Sequence, residues 1–296
     1  MLVEKISTSR LPRSRRELED LLHRTGRVGP VLFRGAAGDW PAMAWCPEYF
    51  RAHHGRSMVC VQVREHLTME KTGAVRAAYE QVTLADYLDS VERDPETCGY
   101  LTQTALFELA PSLRDDCRFP PFPPWLLLSR MNLWLGPRGT KSKLHYDSDH
   151  NLFAQIHGRK VVTLVAPEHS AACYPINVTW YDGYSPIDVF QPDLRAYPEF
   201  ANVTVFRDTI GPGDILFIPK RWWHDIRSLD TSISVNLWWV TPSEFLQELV
   251  HEAHHGILRF FNKAQAVERK NSYLYSMKQN LLSLYLKAMR QRASNT

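Results

Sequence analysis

The chain has 296 residues, 44% hydrophobic and 23% charged, with a formal net charge of +3 and a pI near 8.5. That balance predicts a folded chain of one large domain or two modest ones. It is too mild to imply a nucleic-acid partner. Cys46, Cys60, Cys98, Cys117 and Cys173 stand far apart with no CxxC. The pattern fits a reducing, cytoplasmic setting rather than a disulfide framework. MLVEKISTSRLPRSRRELED lacks the apolar core of a secretory signal, and no apolar run is long enough to predict a membrane span.

In chain order, the basic run RLPRSRRELEDLLHR reads as a solvated face and predicts a short amphipathic helix over residues 15–24. VGPVLFRG predicts an apolar strand closed by Gly35, and DWPAMAWCPEYFRAHHG a turn leading into a helix. SMVCVQVRE (57–65) alternates with period two and predicts a strand. TLADYLDSVERD (83–94) opens on Thr83 as a helix cap, with Asp86 three residues on. FPPFPPWLL (119–127) is too rich in proline for helix or central strand and reads as an ordered linker across the surface.

From 130 to 240 short strand-like runs recur with turn residues between them: MNLWLG, KLHYD, NLFAQIHG, RKVVTLVAP, VTVFRDTIG, DILFIP and SISVNLWWV. That spacing predicts an all-β sandwich or barrel. After Pro242, residues 243–262 and 272–290 carry helical periodicity. The predicted organisation is a flank over 1–129, a β core over 130–240 and a helical segment over 241–296.

Within KSKLHYDSDHNLFAQIHGRK, His145 and Asp147 sit at i and i+2, which on a strand turns both side chains to one face. RWWHDIRS adds His224 directly after DILFIP. Two histidines and one carboxylate form a facial triad with open positions, suited to non-haem Fe(II) oxygenases. Taken alone, HxD is a weak signal, and a histidine in an apolar run is usually a satisfied core residue. In 2-oxoglutarate chemistry the keto-acid end of the co-substrate and O2 fill the open positions, and the distal carboxylate needs a cation. Lys160, at the far end of the HGRK turn, is the candidate for it.

Residues 130–240 resemble a Jumonji-C domain of the cupin superfamily, the Fe(II)- and 2-oxoglutarate-dependent oxygenases. LWLGPRGTKSKLHYD, NLFAQIHGRK, VTLVAPEHSAACYP, QPDLRAYPEF, GDILFIPKRWWH and SISVNLWWV carry the resemblance in order. VLFRGAAGDWPA and GYLTQTALF extend it toward the hydroxylase branch, near a Jumonji-domain arginyl hydroxylase and bacterial cupin-like relatives. The resemblance implies a mainly β fold: a double-stranded β-helix, or jelly-roll, core with an N-terminal α/β flank and C-terminal helices. It implies Fe(II), 2-oxoglutarate and O2, with His145, Asp147 and His224 as metal ligands. Lys160 and the Tyr100 hydroxyl would meet the distal carboxylate, Asn151 and Ser142 would contact the co-substrate, and Trp134 would wall the pocket. For Ser142 and Trp134 the alternatives of a turn closure and a core residue stay open.

The implied reaction is hydroxylation of a C–H bond, with a protein or peptide side chain as the favoured substrate. A free amino acid, a natural-product intermediate or a tRNA nucleoside are the alternatives, and a non-catalytic cupin binding module is the rival from another class. Substrate would approach near the loop 174–193 and the aromatic RWWH. HEAHH (251–255) matches a zinc-protease motif, but its helix carries a packing stripe and no well-placed third ligand follows. Leu274, Met277, Leu281, Leu284 and Ala288 form a heptad-like seam that predicts a homodimer through the C-terminal helices.

Overall fold

The computed structural model describes residues 1–25, 29–63, 68–69, 75–76, 79–105, 109–123, 127–176, 182–244 and 246. By backbone proximity the chain divides into two units, Met1–Trp239 and Val240–Thr296. In the second unit Thr241 and Glu244 form a reciprocal helix cap: the Thr241 hydroxyl accepts from Glu244 N at 3.2 Å and the Glu244 carboxylate accepts from Thr241 N at 2.8 Å. The heptad-like seam and HEAHH lie outside the described residues.

The strands are β1 (Leu2–Glu4), β2 (Ser7–Thr8), β3 (Val31–Phe33), β4 (Met58–Gln62), β5 (Thr68–Met69), β6 (Val75–Arg76), β7 (Tyr79–Thr83), β8 (Tyr100–Ala105) and β9 (Leu127–Gly136). They continue as β10 (His145–Asp147), β11 (His150–His157), β12 (Lys160–Val165), β13 (Asp182–Tyr184), β14 (Thr204–Ile210), β15 (Ile215–Ile218), β16 (Trp223–Ser228) and β17 (Ser232–Val240). Helices α1 (Arg15–Thr25), α2 (Pro47–His54) and α3 (Leu84–Arg93) belong to the N-terminal flank. Thr83 caps α3 as its sequence predicts, accepting from Asp86 N at 3.1 Å.

Two sheets make the jelly-roll. The smaller runs β1-β14-β12-β16-β10-β13 and the larger β2-β3-β15-β11-β17-β9-β8-β4-β7. The flank is therefore woven into the larger sheet through β3, β4, β7 and β8. A core of Phe153, Val162, Leu164, Ile210, Leu216 and Ile218 fills the space between the sheets. Behind the larger sheet, Leu152, Ala154, Phe217, Val235 and Trp239 pack against Trp40, Trp45, Phe50, Leu84 and Leu88 of the flank. β11 is buried on both faces, which is why NLFAQIH reads as a nearly continuous apolar run instead of an alternation.

HGRK is a corner between sheets: β11 belongs to the larger and β12 to the smaller. Gly158 turns this corner at φ +67°, and a Cβ there would lie 2.2 Å from the Thr231 carbonyl oxygen. The sequence reading places His224 after a strand. The structure places it on one, β16, which the reading did not predict because RWWHDIRS mixes charge and aromatics without clean alternation. Among the described residues no helix is long and apolar enough to cross a membrane.

Candidate active site

β10 carries His145 and Asp147 on one face, and β16 runs antiparallel to it with His145 opposite His224. One ligand atom from each of the three side chains falls within 4.8 Å of the others. His145 Nε2 lies 3.8 Å and His224 Nε2 3.6 Å from the Asp147 carboxylate oxygens. The histidine rings are oriented from behind. His145 Nδ1 sits 2.7 Å from the Lys143 carbonyl and His224 Nδ1 3.0 Å from the Trp222 carbonyl. A carbonyl only accepts, so each Nδ1 carries the proton and each Nε2 turns a lone pair toward Asp147.

Burial, reinforced by the neighbouring His145, pushes the His224 pKa down to about 3, so its imidazole stays neutral at physiological pH. Burial raises the Asp147 carboxyl, opposed by His145. Two imidazole nitrogens and a carboxylate converging in this way are a donor set that fits a divalent transition metal. Carbonyl anchors behind both rings are the outer support such ligands need.

Further contacts hold the triad. Arg221, in the left-handed conformation at φ +64°, donates its backbone N–H to the Asp147 carbonyl at 2.8 Å. His150 Nδ1 accepts from Lys220 N at 3.2 Å. The turn into β16 is thus tied to the strand that presents Asp147. Tyr184 of β13 lies opposite His145 in register and stacks on its ring at 5.6 Å and 15°. Sequence reasoning marked only the loop 174–193 and missed this residue. Trp223, expected near the mouth, is core: it is buried against Tyr146 at 4.8 Å and donates its indole N–H to Ser170.

On the same sheet face as His224, four residues along β12, Lys160 is 1% exposed. It donates to the Tyr100 hydroxyl at 3.2 Å and lies over the Phe153 ring at 5.2 Å. Desolvation pulls its pKa down to about 7 and drives the Tyr100 phenol up. Lys160 faces Ser228 across the β12–β16 pairing, while Leu164 faces His224. Four residues of strand separate those positions, about 13 Å. Gly136 permits the approach of Tyr100, since a Cβ there would lie 2.6 Å from the tyrosine ring.

Asn151 is buried on β11 and accepts from Asn236 Nδ2 at 3.2 Å. Asn236 Oδ1 accepts in turn from Asn132 Nδ2 at 3.2 Å and from the Trp134 indole at 2.7 Å. Trp134 stands 5.9 Å from the Tyr100 ring. The reading missed Asn132 and Asn236. Their signal was an asparagine inside an otherwise apolar strand, which a buried site must satisfy. The Ser142 hydroxyl is engaged with β16, accepting from Ile226 N at 3.1 Å, so the structure joins it to the backbone two residues past His224.

The family of the cupin-like domain matches residues 23–245. Lysine-specific demethylase 8 of Danio rerio is 33% identical over 222 residues, covering 71% of this chain and 53% of that protein. Jumonji C domain-containing protein 5 of Drosophila melanogaster is 30% identical over 225 residues, 71% of this chain and 54% of that protein. HSPB1-associated protein 1 of Homo sapiens is 29% identical over 235 residues, 71% and 47% of the respective chains. The chain spans about half the length of these curated relatives. With most of its residues matched and a mainly β, two-sheet architecture, the chain belongs to the cupin-like family that includes the Jumonji-C proteins.

Proposed function

We propose that this protein is an Fe(II)- and 2-oxoglutarate-dependent dioxygenase that hydroxylates a C–H bond on a protein or peptide side chain. The observation that carries the reading is the convergence of His145, Asp147 and His224 on the sheet that also carries the buried Lys160, paired with Tyr100. Iron(II) bound by the three side chains would supply the activation of O2 for C–H oxidation, coupled to conversion of 2-oxoglutarate to succinate and CO2. The chain's own residues do the rest. The Lys143 and Trp222 carbonyls hold both imidazoles in the ligating tautomer. Lys160 and Tyr100 bind the distal carboxylate by charge-assisted hydrogen bonds. Asn151 contributes an amide to the same co-substrate, and the apolar interior core excludes water.

The relatives' names support the substrate class: a lysine-specific demethylase is named for a protein side chain. We propose in addition that the C-terminal segment, whose sequence predicts helices, pairs in a homodimer, to be checked by light scattering on the intact chain, where a monomeric mass overturns it. The test of function is mass spectrometry of a peptide, RNA and metabolite mixture incubated with enzyme, Fe(II), ascorbate and 2-oxoglutarate. Gain of one oxygen atom on peptides supports the reading. Gain only on RNA or metabolites refutes the substrate class.

A further inference from the structure

We propose that Trp134 is a positioning residue that sets the polarity of three buried asparagines and so fixes which atom Asn151 presents to the chamber. This rests on the reading of that chamber as a 2-oxoglutarate site. An indole N–H can only donate. The atom of Asn236 that lies 2.7 Å from Trp134 Nε1 must therefore be its oxygen. The other end of the same amide, Nδ2, then points at Asn151, whose facing atom must be Oδ1. With its oxygen taken on that side, Asn151 turns its N–H2 the other way. The inner face of β11 carries Asn151 together with Phe153, the ring beneath the Lys160 ammonium. An N–H2 there suits an anionic co-substrate; a carbonyl oxygen would repel it.

The reverse polarity is available to the same three side chains. Asn132 Oδ1 is buried and has no hydrogen-bond partner among the described residues. A half-turn of each amide would let Asn236 Nδ2 donate to that oxygen and leave Asn151 presenting its carbonyl, with the Asn132 N–H2 now at the unpaired position. Either direction leaves one end of the buried Asn132 amide unpaired, so the asparagines alone do not fix the direction of the row. Among the described residues of the network the indole is the donor-only group, and it holds the row in the direction in which Asn236 Oδ1 accepts. The neighbouring packing of Trp134 on Tyr100 and Trp238 needs only a ring.

The test is calorimetric titration of 2-oxoglutarate into the full chain loaded with Mn(II), with Mn(II) affinity and melting temperature recorded for every variant. Trp134→Phe keeps the ring and removes the N–H. It is expected to weaken 2-oxoglutarate about twofold, as the row becomes free to adopt either direction, with metal affinity unchanged. Adding Asn132→Asp, an acceptor-only residue that enforces the reversed row, is expected to cost at least about tenfold more in that background than beside the native indole. Wild-type affinity in Trp134→Phe, or an Asn132→Asp effect that is the same in both backgrounds, overturns the proposal. Should Trp134→Phe fail to fold, Asn132→Asp is compared with Asn132→Leu beside the native indole. Aspartate must weaken the co-substrate and leucine must not; equal binding overturns the proposal. A wild-type chain that binds no 2-oxoglutarate refutes the site reading itself, and the proposal falls with it.

Discussion

Replacing Lys160 with methionine should move stability and co-substrate binding in opposite directions. The lysine is 1% exposed and its ammonium has one hydroxyl and two aromatic faces around it. Burial lowers its pKa from 10.5 to about 7. Such a displacement corresponds to roughly 5 kcal/mol of unfavourable burial of the charged form. Between pH 7 and 10.5 the unfolded chain binds the proton that the folded chain has released, so wild-type stability rises with pH across that window. Methionine keeps the stem's volume and removes the charge. Lys160→Met should therefore raise the melting temperature by several degrees at or below pH 7, and the advantage should shrink toward pH 10. Loss of a charge-assisted bond to a buried carboxylate should meanwhile weaken 2-oxoglutarate by about 2–3 kcal/mol, roughly 30- to 150-fold. Differential scanning fluorimetry and calorimetric titration of the Mn(II)-loaded protein read the two effects. A folded Lys160→Met protein with wild-type affinity for 2-oxoglutarate would refute the reasoning.

Three other perturbations follow from the same geometry. His145→Ala, Asp147→Ala and His224→Ala should each abolish Fe(II)-dependent consumption of 2-oxoglutarate while circular dichroism stays native; retained turnover in any of them contradicts the ligand assignment. Gly136→Ala places a methyl group 2.6 Å from the Tyr100 ring, and should lower stability by about 1–3 kcal/mol in urea titrations and weaken the co-substrate as the phenol shifts; an unaltered protein means Tyr100 is not held by this approach. Because a bound carboxylate favours the ammonium, a Lys160 that titrates near 7 must take up a proton to bind, so 2-oxoglutarate affinity should fall about tenfold from pH 6 to pH 8. A flat profile over that range is the opposing result.

The core strands were legible because their signals are local. KLHYD, DILFIP and SISVNLWWV are short strand-like runs bounded by turn residues, and β10, β15 and β17 fall within them. The HxD spacing placed His145 and Asp147 on one face because the side-chain period of a strand is two. What escaped depends on long-range pairing. β16 has no alternating pattern of its own and is a strand because β10 and β12 flank it. Tyr184 meets His145 only through the β10–β13 register, and Asn236 meets Asn151 and Asn132 only across three neighbouring strands. The Ser142 hydroxyl likewise finds its partner 84 positions away, at Ile226. No spacing rule within a window reports such contacts.

The central claim is that the His145–Asp147–His224 chamber couples 2-oxoglutarate oxidation to O2 consumption. The direct measurement is succinate released from 2-oxoglutarate by the purified full chain with Fe(II) and ascorbate, in air and under argon, beside His224→Ala. The account predicts succinate from the wild-type chain in air alone, and none from the variant. No iron-dependent succinate from a wild-type chain shown to bind both metal and 2-oxoglutarate, or equal succinate from His224→Ala, would contradict it.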